Sequence, residues 1–204
     1  MVEAATSYRK NGFNDEDSAQ LAKISAMFQN VADEQISAGD AADFLISQLI
    51  AFNGTGPQSV ENAEHIVDAV NAVSNAYSVS SGDLAQALGI VASSSSAMGN
   101  SFEETLGIVT SITEQTRSAS KAARGANTIF ANLAQVLDDN SSNGKKILEI
   151  YKDLGLTMFD TNGQLKSGYE LLSELSEKWP NLDSNTQKYI ATTLAGEFRP
   201  FEVN

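Results

Sequence analysis

The 204-residue chain has no cysteine, one histidine, one tryptophan and three prolines. The absence of cysteine excludes a disulfide framework, a thiolate zinc site and a cysteine nucleophile. His65 stands without a second imidazole, so no transition metal and no cofactor is expected. No apolar run approaches the roughly 20 residues that cross a bilayer, and the opening MVEAATSYRK is not a signal peptide. Assembly in a cytoplasm is the simplest expectation. Prolines occur only at Pro57, Pro180 and Pro200, where helical patterns stop. Positive charge is scarce, with 13 Lys and Arg against 26 Asp and Glu, a net −13. Through Phe102 there are 12 acidic and 3 basic residues, a balance of −9; beyond it, 14 and 10 give −4. Such a surface repels phosphate backbones and argues against direct nucleic-acid binding, while keeping a helical protein soluble.

What is present is apolar residues at helical spacing, 42% of the chain being hydrophobic. The spacing predicts a helix from about Asp15 to Asp33, with Leu21, Ile24, Phe28 and Val31 on one side. A second, from Asp40 to Phe52, is apolar almost all round apart from Asp40, Asp43 and Ser47, as suits a central helix. It ends at Asn53-Gly54, and GTGPQ resets the chain direction. From Ser59 to Tyr77 the inward face is Ile66, Val70, Val73 and Tyr77. A Ser-Gly-Asp start at Ser81 then places Leu84, Leu88 and Val91 inward.

The stretch SSSSAMGNSFEETLGIV, Ser93 to Val109, sets a run of serines before a complete helix start. Ser101 and Glu104 form a capping box, and Gly99 suits the turn before it. Serine hydroxyls compete with helical hydrogen bonds, so the run is expected to fray the preceding helix into a corner. Ala119, Ala122, Ala126, Ile129, Leu133 and Val136 follow a coiled-coil-like spacing whose alanine half requires a close partner helix. Ile147, Leu148, Tyr151 and Leu154 mark the next helix, closed by Gly155. LTMFDTNGQLKS predicts one short β-hairpin turning at Asp160–Gly163. Tyr169 to Trp179 follows, with Leu172, Leu175 and Trp179 inward, and Asp183 or Ser184 caps a last helix that ends at Gly196.

The predicted fold class is mainly α: a multi-helix bundle of about nine helices with one short β-hairpin. Three regions are expected: 1–56, an N-terminal helical subdomain; 57–141, a central bundle; and 142–204, a helix, the hairpin and C-terminal helices. Val2 to Tyr8 already reads as helix with no cap before it, and LAGEFRPFEVN stops without closure, so a piece of a longer protein is expected.

Reactive chemistry is sparse. His65 follows Glu61 by one turn, the spacing of a surface ion pair. A calcium loop counted from Asp160 needs glycine at position six and glutamate at twelve, but the glycine falls at four and Leu171 at twelve, leaving a turn. Paired carboxylates (Glu103-Glu104, Asp138-Asp139, Asp15-Glu16-Asp17) lie at caps and loop edges, where the helix dipole favours them. Phosphate loops, nucleophile elbows and nucleotide fingerprints are absent. No catalytic, cofactor-binding or metal-binding residue is assigned, and no enzyme activity is expected. Arg117, Lys121 and Arg124 form the only basic stripe, opposite the alanine seam. It reads as a solvated face or as a docking stripe for an acidic partner.

The order of these segments carries a resemblance. DLAQALGIVASSSSAMGNSFEETLGIVTSITEQTRSASKAARGANTIFANL, then LGLTMFDTNGQL and a helix ending LAG, resembles the core region of phage tail tape measure proteins. Upstream, DEDSAQLAKISAMFQNVADEQISAGDAADFLISQLIAFN is similar to the same family. The resemblance covers about Asp15 to Gly196 and departs after Gly196, where Pro200 argues against helical continuation. It implies a fragment of a siphophage or prophage tail protein, located in the virion tail after assembly in the host cytoplasm. It also implies tail tube protein, tail-tip proteins and tail assembly chaperones as partners, with homo-oligomers in the tail. In such a ruler, residue count becomes length at 1.5 Å per helical residue. The resemblance implies no catalytic residues. Two other readings remain: a helical adaptor or signalling coiled-coil module of a bacterial protein, and a tail-borne hydrolase. The seam lasts only about 18 residues, short of the three or four heptads a signalling coiled coil sustains.

Overall fold

A computed structural model describes residues 2–32, 36–53 and 55–196. Asp33, Gly54, the Val31 side chain, Pro200 and everything else beyond Gly196 lie outside the described residues. Ten α-helices occur among those described: α1 Val2–Lys10, α2 Asp15–Val31, α3 Ala38–Gln48, α4 Ser59–Ala76, α5 Ser81–Ala97, α6 Phe102–Thr116, α7 Ala119–Ala134, α8 Ser142–Asp153, α9 Gly168–Lys178 and α10 Ser184–Ala195. A wider turn, Leu49–Asn53, extends α3, and tighter turns follow α7 and α9.

Most helices begin on a side-chain oxygen, which accepts from an amide the first turn leaves unpaired. Asn14 accepts from Asp17 N, Ser37 from Asp40 N, Ser141 from Gly144 N, and Asp183 from Asn185 N and Thr186 N. The capping box of Ser101 and Glu104 is complete, and Ser167 with Glu170 forms a second one. At α5 the cap is Ser80, one residue before the expected start, accepting from Asp83 N at 3.0 Å.

Backbone contacts divide the chain into two compact units: Met1–Ser96 with Ser101–Arg124, and Ala97–Asn100 with Gly125–Asn204. In the first unit α2 packs on α1, α3 and α4, and α4 also meets α6. Leu21, Leu45, Leu49, Val70, Leu84, Leu88 and Val91 are fully excluded from water. Each such aliphatic side chain contributes roughly 1.5–3 kcal/mol by leaving solvent. Phe28 and Phe44 stack at 5.4 Å, and Phe52 meets Phe102 edge-on at 6.1 Å. Tyr8 is buried with its hydroxyl 2.7 Å from Ser25 Oγ. Burial pushes its phenol well above the usual range; the Ser25 hydrogen bond offsets part of this and Asp43 adds to it.

In the second unit Phe130, Leu133, Ile147, Tyr151, Leu171 and Ile190 form the buried centre. Polar side chains pin backbone groups that lie far apart in sequence. Asn100 Oδ1 accepts from Tyr169 N at 2.7 Å, Asn132 Nδ2 donates to Leu194 O at 2.8 Å, and the Tyr151 hydroxyl donates to Leu171 O at 2.9 Å. Gly144 sits where a Cβ would come 2.2 Å from Gln135 O, so α8 can start against the end of α7 only without a side chain. Lys166 Nζ pairs with Glu174 Oε1 under partial cover.

Several expectations are corrected. The helix count is ten rather than nine, and no strand forms among the described residues. In place of the β-hairpin there is an isolated antiparallel bridge, Phe159 to Leu165, closed by Asp160 N donating to Gln164 O at 2.8 Å. Lys166 N donates to Met158 O at 3.0 Å beyond the bridge, and Ser167 then caps α9, which stops the pairing short of a strand. The serine run does not fray: Ser93–Ser96 lie inside α5, and the corner falls at Gly99, φ +74°. Ser94 Oγ donates to Val91 O, Ser95 Oγ meets Thr105 Oγ1 at 2.7 Å, and Ser96 Oγ donates to Ala51 O. Tyr77 is extended and 52% exposed, while Ala63 and Val67 complete the α4 face. On α9 it is Leu171, with Leu175, that is buried; Leu172 and Trp179 are half-buried. Ile129 yields its place to Phe130 in the same way.

Candidate interaction surfaces

The basic residues singled out from sequence lie around the corner between α6 and α7. Arg117 is the C-cap of α6, in the left-handed conformation at φ 51°, ψ 34°, with its N–H donating to Thr113 O at 2.8 Å. This is the position usually given to glycine, and a side chain there costs about 1 kcal/mol. Among described residues Arg117 is the only non-glycine at positive φ. Lys121 and Arg124 stand exposed on α7, whose Ala119, Ala122, Ala123 and Ala126 are buried. No ion pair engages Arg117 or Lys121 among the described residues. The corner therefore presents two unpaired cations beside Arg124.

His65 meets a different partner from the one its helix suggested. Its Nε2 lies 2.8 Å from Glu103 Oε1, across from α4 to the first turn of α6, instead of reaching Glu61 on its own helix. Partial burial pushes the Glu103 carboxyl up. The His65 hydrogen bond, with those from its own amide and Ser101, outweighs this, so the group lies below its ordinary value. Both side chains are more than half exposed, so this is a surface pair rather than an acid–base couple held away from water.

Asp160 serves the turn as expected, its Oδ1 accepting from Asn162 N and Gln164 N, both at 2.8 Å. The Gln164 amide, followed by those around it, holds the carboxyl below its ordinary value. Asp183 is lowered in the same way, first by the Thr186 hydroxyl. These carboxylates already accept the hydrogen bonds of local caps and turns. Among the described residues no three His, Cys, Asp or Glu are grouped to hold a metal ion.

Two concave surfaces belong to the first unit. A hollow of about 470 Å³ lies between α3 and α5, rimmed by Asp40, Asp43 and Asp83 with Ser47 and Gln86. A groove of about 430 Å³ runs between α4 and α6, floored by small and apolar side chains. Sequence periodicity misses both, because each is made by two helices distant in the chain. The exposed Tyr77 at the end of α4 was the one available signal, an aromatic at an inward spacing.

Helices closed by side-chain caps, open grooves and charged corners define a helical scaffold. The chain's kinship then narrows this class. The family of phage-related minor tail proteins matches residues 1–196, and the chain belongs to that family. It is a protein of the phage tail, with a structural role among other tail proteins. No described helix is long and apolar enough to cross a membrane. No solved structure matches the chain.

Proposed function

We propose that the chain is a folded, non-enzymatic module of a tail tape measure protein, acting in tail assembly and in determining tail length. The order of segments supports this reading most strongly. The Ser101 capping-box helix, the small-residue helix α7, the Asp160–Gly163 turn and the final helix into Gly196 follow one another in the order that carries the resemblance to tape measure proteins, within residues 1–196 that match the minor tail family. In this role the module meets tail tube protein, tail-tip proteins and assembly chaperones, and self-associates within the tail. Its net charge of −13 keeps it off DNA. Arg117, Lys121 and Arg124 are the residues proposed to dock on an acidic partner, and the strained backbone retained at Arg117 favours them.

The test is an immunoblot of purified virions, or of induced prophage lysate, with antiserum raised against this chain. The reading expects reactive protein that co-sediments with tails. Reactive protein confined to the soluble cytosol and absent from tails contradicts it. Charge reversal at Lys121 and Arg124 is expected to reduce incorporation into tails without unfolding the chain, read by the same blot and by circular dichroism.

A further inference from the structure

We infer that the groove between α4 and α6 is a docking site for a cationic amphipathic helix of another protein. Its floor is apolar and shallow because the residues facing it are small: Ala69 and Ala72 from α4, Gly107 and Ser111 from α6. Small residues let a second backbone approach closely, and the half-buried Val73 of α4 adds apolar area. At one end stands Tyr77, 52% exposed, an aromatic anchor without a packing partner of its own size in the groove. Aromatic residues that become buried on docking contribute a large share of binding affinity.

Charge selects the occupant. Glu103 and Glu114 line the same groove, 11 residues apart on α6. Three helical turns separate them, about 16 Å. A helix lying along α6 with cations about three turns apart meets both carboxylates. Glu103 is already held as the anion by His65. A second copy of this chain is the poorer occupant: at net −13 it brings mainly like charge to an acidic rim. This inference does not depend on a length-determining role, since the groove is a property of the first unit alone.

Gly107 gives a clean test, because a Cβ there meets nothing within 4 Å and the position is helical. Gly107→Leu fills the groove without displacing the fold. The probe is a labelled 18-residue amphipathic peptide of alanine and leucine, carrying lysines 11 residues apart. Its binding to the whole chain is followed by fluorescence anisotropy at low salt. The expected result is saturable binding that weakens at least tenfold in Gly107→Leu, and likewise when the peptide lysines become glutamine. The melting temperature of the variant should stay within a few degrees of the parent. Absence of saturable binding, equal binding by the filled variant, or a groove-dependent homodimer in analytical ultracentrifugation overturns the inference.

Discussion

The two units combine apolar burial and long-range hydrogen bonds in different proportions. The first carries 15 acidic against 6 basic residues and relies on long helices with fully buried aliphatic and aromatic side chains. The second carries 11 against 7 and has shorter helices after α7, joined by turns. There, Asn100, Asn132 and Tyr151 each tie a side chain to a backbone group at least 20 residues away, as Ser96 does to Ala51 O in the first unit. Apolar burial is non-directional and tolerates repacking, whereas a buried hydrogen bond fixes one geometry and leaves an unpaired group when broken. Short segments bury less area per element, so directional bonds set their register.

This difference can be broken on purpose, and Trp179 helps. It is the sole tryptophan and lies in the second unit, so its fluorescence follows that unit while circular dichroism follows both. Leu88→Ala empties a fully buried site in the first unit and should cost about 3 kcal/mol in urea unfolding followed by circular dichroism. Gly144→Ala should cost about 2–3 kcal/mol and appear in Trp179 fluorescence, because Gln135 backbone must move away from the new Cβ. Asn100→Ala leaves the partly buried Tyr169 amide without its acceptor and should cost about 1–2 kcal/mol. Faster hydrogen exchange confined to the second unit is its signature; equal change in both units would erase the contrast drawn above.

The smallest effect concerns pH. Glu103 sits below its ordinary value of 4.5, so it stabilises the fold above that pH and the contribution fades as pH falls through the depressed folded value. Because the pair is solvent-exposed, screening limits it to under about 0.5 kcal/mol. Glu103→Gln should flatten that shallow acid-limb slope in urea unfolding and change little at neutral pH.

Helix positions were legible in the sequence because each signal is local: Ser101 with Glu104, Asp183 before α10, Gly155 and Gly196 after their helices. The choice of inward residue was less so. On α9, Leu171 and Leu172 are 100° apart on the helix, and either makes a face with Leu175; tertiary packing selected Leu171. The serine run misled because burial reverses its usual tendency: once Thr105 and Ala51 accept or share the hydroxyl bonds, helix replaces fray. The Asp160 turn was correct in chemistry, but strand pairing needs flanking length that Ser167 takes for its cap. The His65–Glu103 pair spans 38 residues of sequence, and the α4–α6 groove joins equally distant helices, so neither leaves a periodic trace.

In the proposed role, this module belongs to a protein whose length sets the tail. An in-frame deletion of residues 15–196 in the phage genome, with tail lengths measured by electron microscopy, tests it most directly. Tails of uniform, shortened length support the claim. The shortening should approach about 270 Å if these helices run end to end in the tail, and be much less if they stay folded together. Tails of unchanged length, assembled normally without the module, would contradict it.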